Sequence, residues 1–149
     1  MLSFIQLHVQ ASKAGIKSAE YEAYAASQIN YMLGDNPNSF SYVVGYGDSF
    51  PKQPHHKVPK SISRILRVFI KVSPQASACA SPPAECTWDT FDDTSVDNAH
   101  QLDGALVGGP SAADDFYQDD RTDYIMAEVT LDYNAGFQST VAGLKSLSC

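Results

Sequence analysis

Helical periodicity in this chain comes in separate blocks, and glycine and proline break the stretches between them. The first block is "KSAEYEAYAASQINYMLGDNP", residues 17–37, where Tyr21, Ala25, Ile29 and Met32 recur at spacings that share one helix face. Ser18 is placed to cap its start, and Gly34 and Pro37 stop it. The second block, residues 60–72, sets Ile62, Ile65, Leu66, Phe69 and Ile70 against Lys60, Arg64, Arg67 and Lys71. It is read as a short helix packed on its own domain rather than as a membrane-surface or partner-binding helix. The third runs from Asn134 to Leu147, with Phe137, Val141, Leu144 and Leu147 on one stripe. Between the blocks, Ser41 to Val44 reads as a short extended piece, and 73–100 and 102–116 read as loop. The fold class that follows is mainly α with long loops, and long loops in a compact protein usually carry function.

The remaining bulk features exclude more than they select. A chain of 149 residues with 44% hydrophobic and 18% charged residues has the composition of one globular domain. A net charge of -7 leaves no basic excess to neutralise phosphates, so nucleic acid is not expected as a partner. No apolar run is long enough to cross a membrane. The opening "MLSFIQLHVQASKAG" lacks the charged start and long apolar stretch of a signal peptide and reads as interior sequence, as if an upstream part were missing. Cys79 and Cys86 bracket "CASPPAEC"; a disulfide is favoured over free thiols, and a metal is least favoured because neither close cysteine pairs nor a nearby histidine is present. Cys149 has no assigned role.

Chemistry concentrates near the C-terminus. "YQDDRTDYIMAEVTLDYNAG", residues 117–136, holds a cluster of acidic side chains with Arg121 as its one basic residue, then Glu128 alone among Met126, Ala127 and Val129. A solvated helix face would alternate such charges with lysines. Hydrolysis of a glycosidic bond needs two carboxyl groups, one donating a proton to the leaving oxygen and one activating water. Glu128 is the better donor candidate, because removing a carboxyl from water favours its protonated form. The adjacent His55 and His56 are candidates to orient a substrate, bind a metal or simply fill space. The aspartates at 114, 115, 119 and 120 leave calcium open, although Asp114 and Asp115 also suit a turn.

Taken together, "SYVVGYGDSFPKQPHHK" and "YQDDRTDYIMAEVTLDYNA" resemble the two C-terminal signatures of glycoside hydrolase family 9, the cellulase family of endo-β-1,4-glucanases. Tyr117, Asp119, Tyr124, Glu128, Thr130, Asn134 and Ala135 stand at the spacing of the second signature. "QINYMLGDNP", "GALVGGP" and the segment from Cys79 to Trp88 are also similar to that family, the last of them to its animal members. The resemblance implies the C-terminal third of a catalytic domain built as an (α/α)6 barrel, spanning 1–149, with 60–72 either an atypical insertion or read-through of non-coding sequence. It implies an inverting hydrolase of internal β-1,4-glucosidic bonds that is secreted as a full-length protein; no cofactor is expected, with calcium left open. Glu128 would be the general acid, Asp119 a second motif carboxylate in the active-site region and His55 the active-site histidine. His56, Lys57 and Tyr133 would contact a β-1,4-glucan.

Three departures stand out. Lys57 occupies a position where that family usually has arginine, so a planar fork becomes a point charge. Ser49 replaces a usual Asn, Lys or Arg. Residues 60–72 are longer and more basic than the loop expected there. The base of that family lies in an Asp-Ala-Gly-Asp motif, which does not occur among these 149 residues. An inverting site holds acid and base roughly 6.5 to 9.5 Å apart, so the isolated chain is expected to hydrolyse negligibly, and a non-catalytic carbohydrate-binding role is the alternative.

Overall fold

The structure, a computed structural model, describes residues 2–55, 77–80 and 87–147. Four helices are present among them: α1 (Leu2–Lys13), α2 (Ser18–Met32), α3 (Trp88–Asp92) and α4 (Leu131–Leu147). The amphipathic block at 60–72 lies outside the described residues.

The opening segment, read above only as interior sequence, is helix α1. Among its described side chains Ser12 is buried with Ile5 and Val9, the last two one turn apart at 0% and 1% exposure. Each of these two apolar side chains, fully buried, contributes about 1.5–3 kcal/mol. A tight turn reverses the chain into α2, with Gly15 at φ 77° and Lys17 at φ 44°. Lys17, not Ser18, occupies the N-cap position of α2 and makes no side-chain cap. Ser18 is already helical, and its hydroxyl donates to the Ser12 carbonyl while the Ser12 hydroxyl donates to the Ser18 carbonyl, both at 3.2 Å. That reciprocal pair fixes the angle between α1 and α2.

Helix α2 ends as its sequence requires. Gly34 takes φ 114°, and Asn36 then donates its amide to the Tyr31 and Phe40 carbonyls at 2.8 and 2.7 Å. The chain turns back, and Tyr42 N–H reaches the Met32 carbonyl at 2.8 Å. Helix α4 starts at Leu131, three residues before the sequence reading placed it. Its buried face is Gly136, Phe137, Thr140 and Gly143, with Leu144 and Leu147 packed partly against the core and Val141 38% exposed. Helix α1 lies against both α2 and α4. Glycine at 143 eases the close approach, because a Cβ on it would sit 2.5 Å from Val9 Cγ1.

The extended segments pair only through three isolated bridges among the described residues, and these form a row. Val43 pairs antiparallel with Leu106, Val107 antiparallel with Val129, and Glu128 parallel with His55. Segment 105–109 therefore lies between 42–44 and 126–129. It is held on one side by Val44 N–H to Ala105 and Val107 N–H to Tyr42, and on the other by Gly109 N–H to Met126. Gly108 permits the approach: a Cβ there would overlap the Ile125 carbonyl oxygen at 2.1 Å. Asn134, in the first turns of α4, bonds Leu106 twice, accepting its N–H at 2.8 Å and donating to its carbonyl at 3.0 Å. The 73–100 loop reading needs one correction, the short helix α3. Five residues give too little chain to show a period; the Thr87 hydroxyl, accepting from Thr90 N–H at 3.3 Å, starts it.

Candidate active site

Most of the C-terminal aspartates form turns. Asp114 Oδ1 accepts Phe116 N–H at 3.1 Å, Asp120 Oδ1 accepts the N–H and hydroxyl of Thr122, and Asp123 Oδ1 accepts the N–H groups of Ile125 and Met126. Asp115 accepts from the Tyr31 hydroxyl, tying this segment to α2. Among the described residues no three His, Cys, Asp or Glu side chains converge as donors for a metal ion.

Asp119 is different. Its carboxylate reaches across to the histidine loop, where Oδ2 accepts Lys52 N–H at 2.7 Å and Oδ1 accepts Gln53 N–H at 3.0 Å. Burial raises its pKa above the usual carboxylate range, although both N–H groups and the Lys52 ammonium favour the charged form. Two residues on, the Arg121 carbonyl meets His55 Nδ1 at 2.7 Å. A carbonyl can only accept, so Nδ1 carries a proton. The His55 ring also packs edge-on to Phe91, centroids 5.6 Å apart.

Glu128 is half-buried, following buried Met126 and Ala127. His55 N–H donates to the Ala127 carbonyl at 2.7 Å, and the parallel bridge sets His55 beside Glu128. Paired residues on neighbouring extended segments lie about 4.8 Å apart and project to the same face, whereas the next residue along, Val129, points the opposite way into the core. The Tyr133 hydroxyl donates to the Glu128 carbonyl. Burial raises the Tyr133 pKa, the Thr130 side chain opposes this and the Glu128 carboxylate adds to it, so the phenol stays a donor near a carboxylate. Contacts to the Glu128 backbone thus bring His55 and Tyr133 beside it from two distant stretches. His56 and Lys57 lie outside the described residues.

Two supporting residues carried only weak signals in the sequence. Arg121, 0% exposed, donates from Nη1 to the Asp93 carbonyl at 2.9 Å and the Thr90 carbonyl at 3.4 Å, and from Nη2 to Val96. Its burial lowers its pKa, and Asp93 and Asp120 counter this. A lone basic residue inside an acidic run was its only mark. Asn98 had none; its side chain donates to the Pro54 carbonyl at 2.9 Å and the Ser77 hydroxyl at 2.6 Å. Cys79 is in a disulfide, which excludes a free thiol there, and its partner lies outside the described residues.

A family model described as Glycosyl hydrolase family 9 matches residues 2–141. Among curated relatives, Endoglucanase B of Cellulomonas fimi is 40% identical over 128 residues, 86% of this chain and 10% of that protein. Endoglucanase 18 of Arabidopsis thaliana is 36% identical over 140 residues, 94% of this chain and 27% of that protein. In structure, an endoglucanase from the termite Nasutitermes takasagoensis superposes with TM-score 0.78 at 39% identity, over 97% of this chain and 28% of its own. The endoglucanase CelQ of Clostridium thermocellum, solved with cellobiose and cellotriose, gives TM-score 0.61 at 38% identity, over 85% and 17%. The chain spans no more than about a quarter of the length of these curated relatives. Its mainly α architecture is that of part of an (α/α)6 barrel.

Proposed function

This chain belongs to glycosyl hydrolase family 9, and on that premise we propose that it supplies the proton-donating half of a secreted endo-β-1,4-glucanase site, with Glu128 as the general acid. The observation that carries this reading is the pairing of His55 with Glu128, two residues far apart in the chain set side by side. In the proposed chemistry the Glu128 carboxyl gives its proton to the departing glycosidic oxygen. A second carboxylate, on the other face of the sugar, activates water for inversion. Among these 149 residues only the first of those roles has a resident candidate.

His55 and Tyr133 line the same place and would meet sugar hydroxyls, with His56 and Lys57 extending the contact. The CelQ structures with cellobiose and cellotriose support a β-glucan oligosaccharide as the ligand of this site. Asp119 belongs to the same region, its carboxylate on the backbone of the loop that carries His55.

Two measurements test the reading. Titration of the chain with cellotriose, followed by amide NMR, is expected to shift signals around His55, Glu128 and Tyr133; no shift there would count decisively against it. For catalysis, residues 2–141 are grafted in place of the matching segment of the termite endoglucanase. That chimera is expected to release reducing ends from a soluble cellulose derivative, and Glu128→Gln to lower kcat by about 10²–10⁴-fold. Undiminished kcat in the chimera carrying Glu128→Gln would remove Glu128 from the mechanism.

A further inference from the structure

The histidine loop is bounded by two residues with no N–H to give. Pro51 and Pro54 lack that donor, so from Pro51 to His55 the backbone offers N–H groups only at Lys52, Gln53 and His55. All three go to one segment. Lys52 and Gln53 donate to the two oxygens of Asp119, and His55 donates to the Ala127 carbonyl. The His55 ring is held by the same segment, through the Arg121 carbonyl.

The loop's carbonyls go to a third partner. Asn98 donates its N–H to the Lys52 carbonyl at 3.1 Å and its side-chain amide to the Pro54 carbonyl at 2.9 Å. The loop bearing Asn98 is in turn held by the buried Arg121 guanidinium, through the carbonyls of Asp93 and Val96. Arg121 therefore grips both sides: its backbone orients the histidine and its side chain fixes the loop that supports it.

We infer that Asp119 and Arg121 are positioning residues, which hold His55 as the Nδ1–H tautomer beside Glu128. Asp119 has one oxygen on each of two backbone N–H groups. The ionised carboxylate accepts both N–H groups most strongly, so the clamp is tightest in that form. With Nδ1 committed, neutral His55 presents Nε2 as a bare acceptor, suited to a donating hydroxyl. Only the identity of that hydroxyl rests on the glucanase reading; the clamp is read from this chain alone.

The test is the ring-nitrogen spectrum of the full chain, recorded above the imidazole titration range, with His55 assigned by comparison with His55→Gln. The wild type is expected to show protonated Nδ1 and bare Nε2. In Asp119→Asn, whose amide group opposes one of the two N–H donors, His55 is expected to average between tautomers and cellotriose to bind about tenfold more weakly. A folded Asp119→Asn chain that keeps a single Nδ1–H tautomer overturns the inference. Should that variant not fold, hydrogen exchange in the wild type decides: Lys52, Gln53 and His55 amides are expected to be protected as one unit, and rapid exchange at Lys52 and Gln53 overturns it. Absence of cellotriose binding by the wild type would sink the functional reading while leaving the tautomer result standing.

Discussion

Helices α1, α2 and α4 meet mainly through apolar side chains, with the Ser12–Ser18 pair as a polar tie, whereas the three loops around His55 are joined largely by hydrogen bonds. Ile5, Val9, Ala25, Ile29 and Phe137 pack the helix trio, and each helix satisfies its own backbone within itself. The loops pair internally only in part, through turns such as those of Asp120 and Asp123. Their remaining buried N–H and C=O groups need partners from elsewhere, and Asp119, Arg121 and Asn98 supply several of them. Tolerance to substitution should divide accordingly. The helix trio should accept changes that keep volume, and the loop cradle should accept almost none that remove a donor or acceptor.

The comparison breaks most readily at Arg121. Arg121→Met leaves the carbonyls of Asp93 and Val96 without their donor in a fully buried place. A loss of about 3 kcal/mol or more is expected, read as a lower urea midpoint at unchanged slope; a loss below about 1 kcal/mol would show that the cradle does not depend on it. Asn134→Ala removes both bonds to Leu106 and is expected to cost about 1–3 kcal/mol by the same measurement.

On the helix side, Gly143→Ala drives a methyl into Val9. Overpacking of this kind costs about 1–3 kcal/mol, offset by the roughly 1 kcal/mol that alanine gains over glycine in a helix. The sharper expectation is its rescue: Val9→Ala in the same chain should recover part of the loss in a double-mutant cycle. Strictly additive effects would mean that the two residues do not touch.

The smallest effect concerns pH. Tyr117 packs against Phe40 and Tyr42, centroids 5.2 and 5.5 Å away, and its buried hydroxyl has no hydrogen-bond partner among the described residues. Burial, then the Asp119 carboxylate, raises its pKa. The folded chain therefore binds that proton more tightly than the unfolded chain. This contribution is complete below the ordinary tyrosine value of about 10 and is lost as pH climbs above it. Tyr117→Phe is expected to leave stability at pH 7 almost unchanged and to flatten the alkaline decline of Tm; an unchanged alkaline slope would place the titration elsewhere.

Much of the helical framework was legible in the order of residues. Tyr21 to Met32 and Phe137 to Leu147 repeat at the helical period, and Gly34 and Pro37 end the first run, because such signals act within one or two turns of chain. Ser18 looked like a cap because its true partner, Ser12, sits across a turn. For the site, residue types at motif spacing marked His55 and Glu128 as candidates, and local sequence could mark Asp119 as acidic without saying what it holds.

What only the tertiary structure decided is who partners whom. His55 beside Glu128, Asp119 on the backbone of Lys52 and Gln53, and Arg121 bridging two loops are all contacts between residues distant in the chain. Periodicity reports which face of a segment avoids water, so it fixed the helices. A hydrogen bond between loops depends on where each donor arrives in space, and no local pattern encodes that.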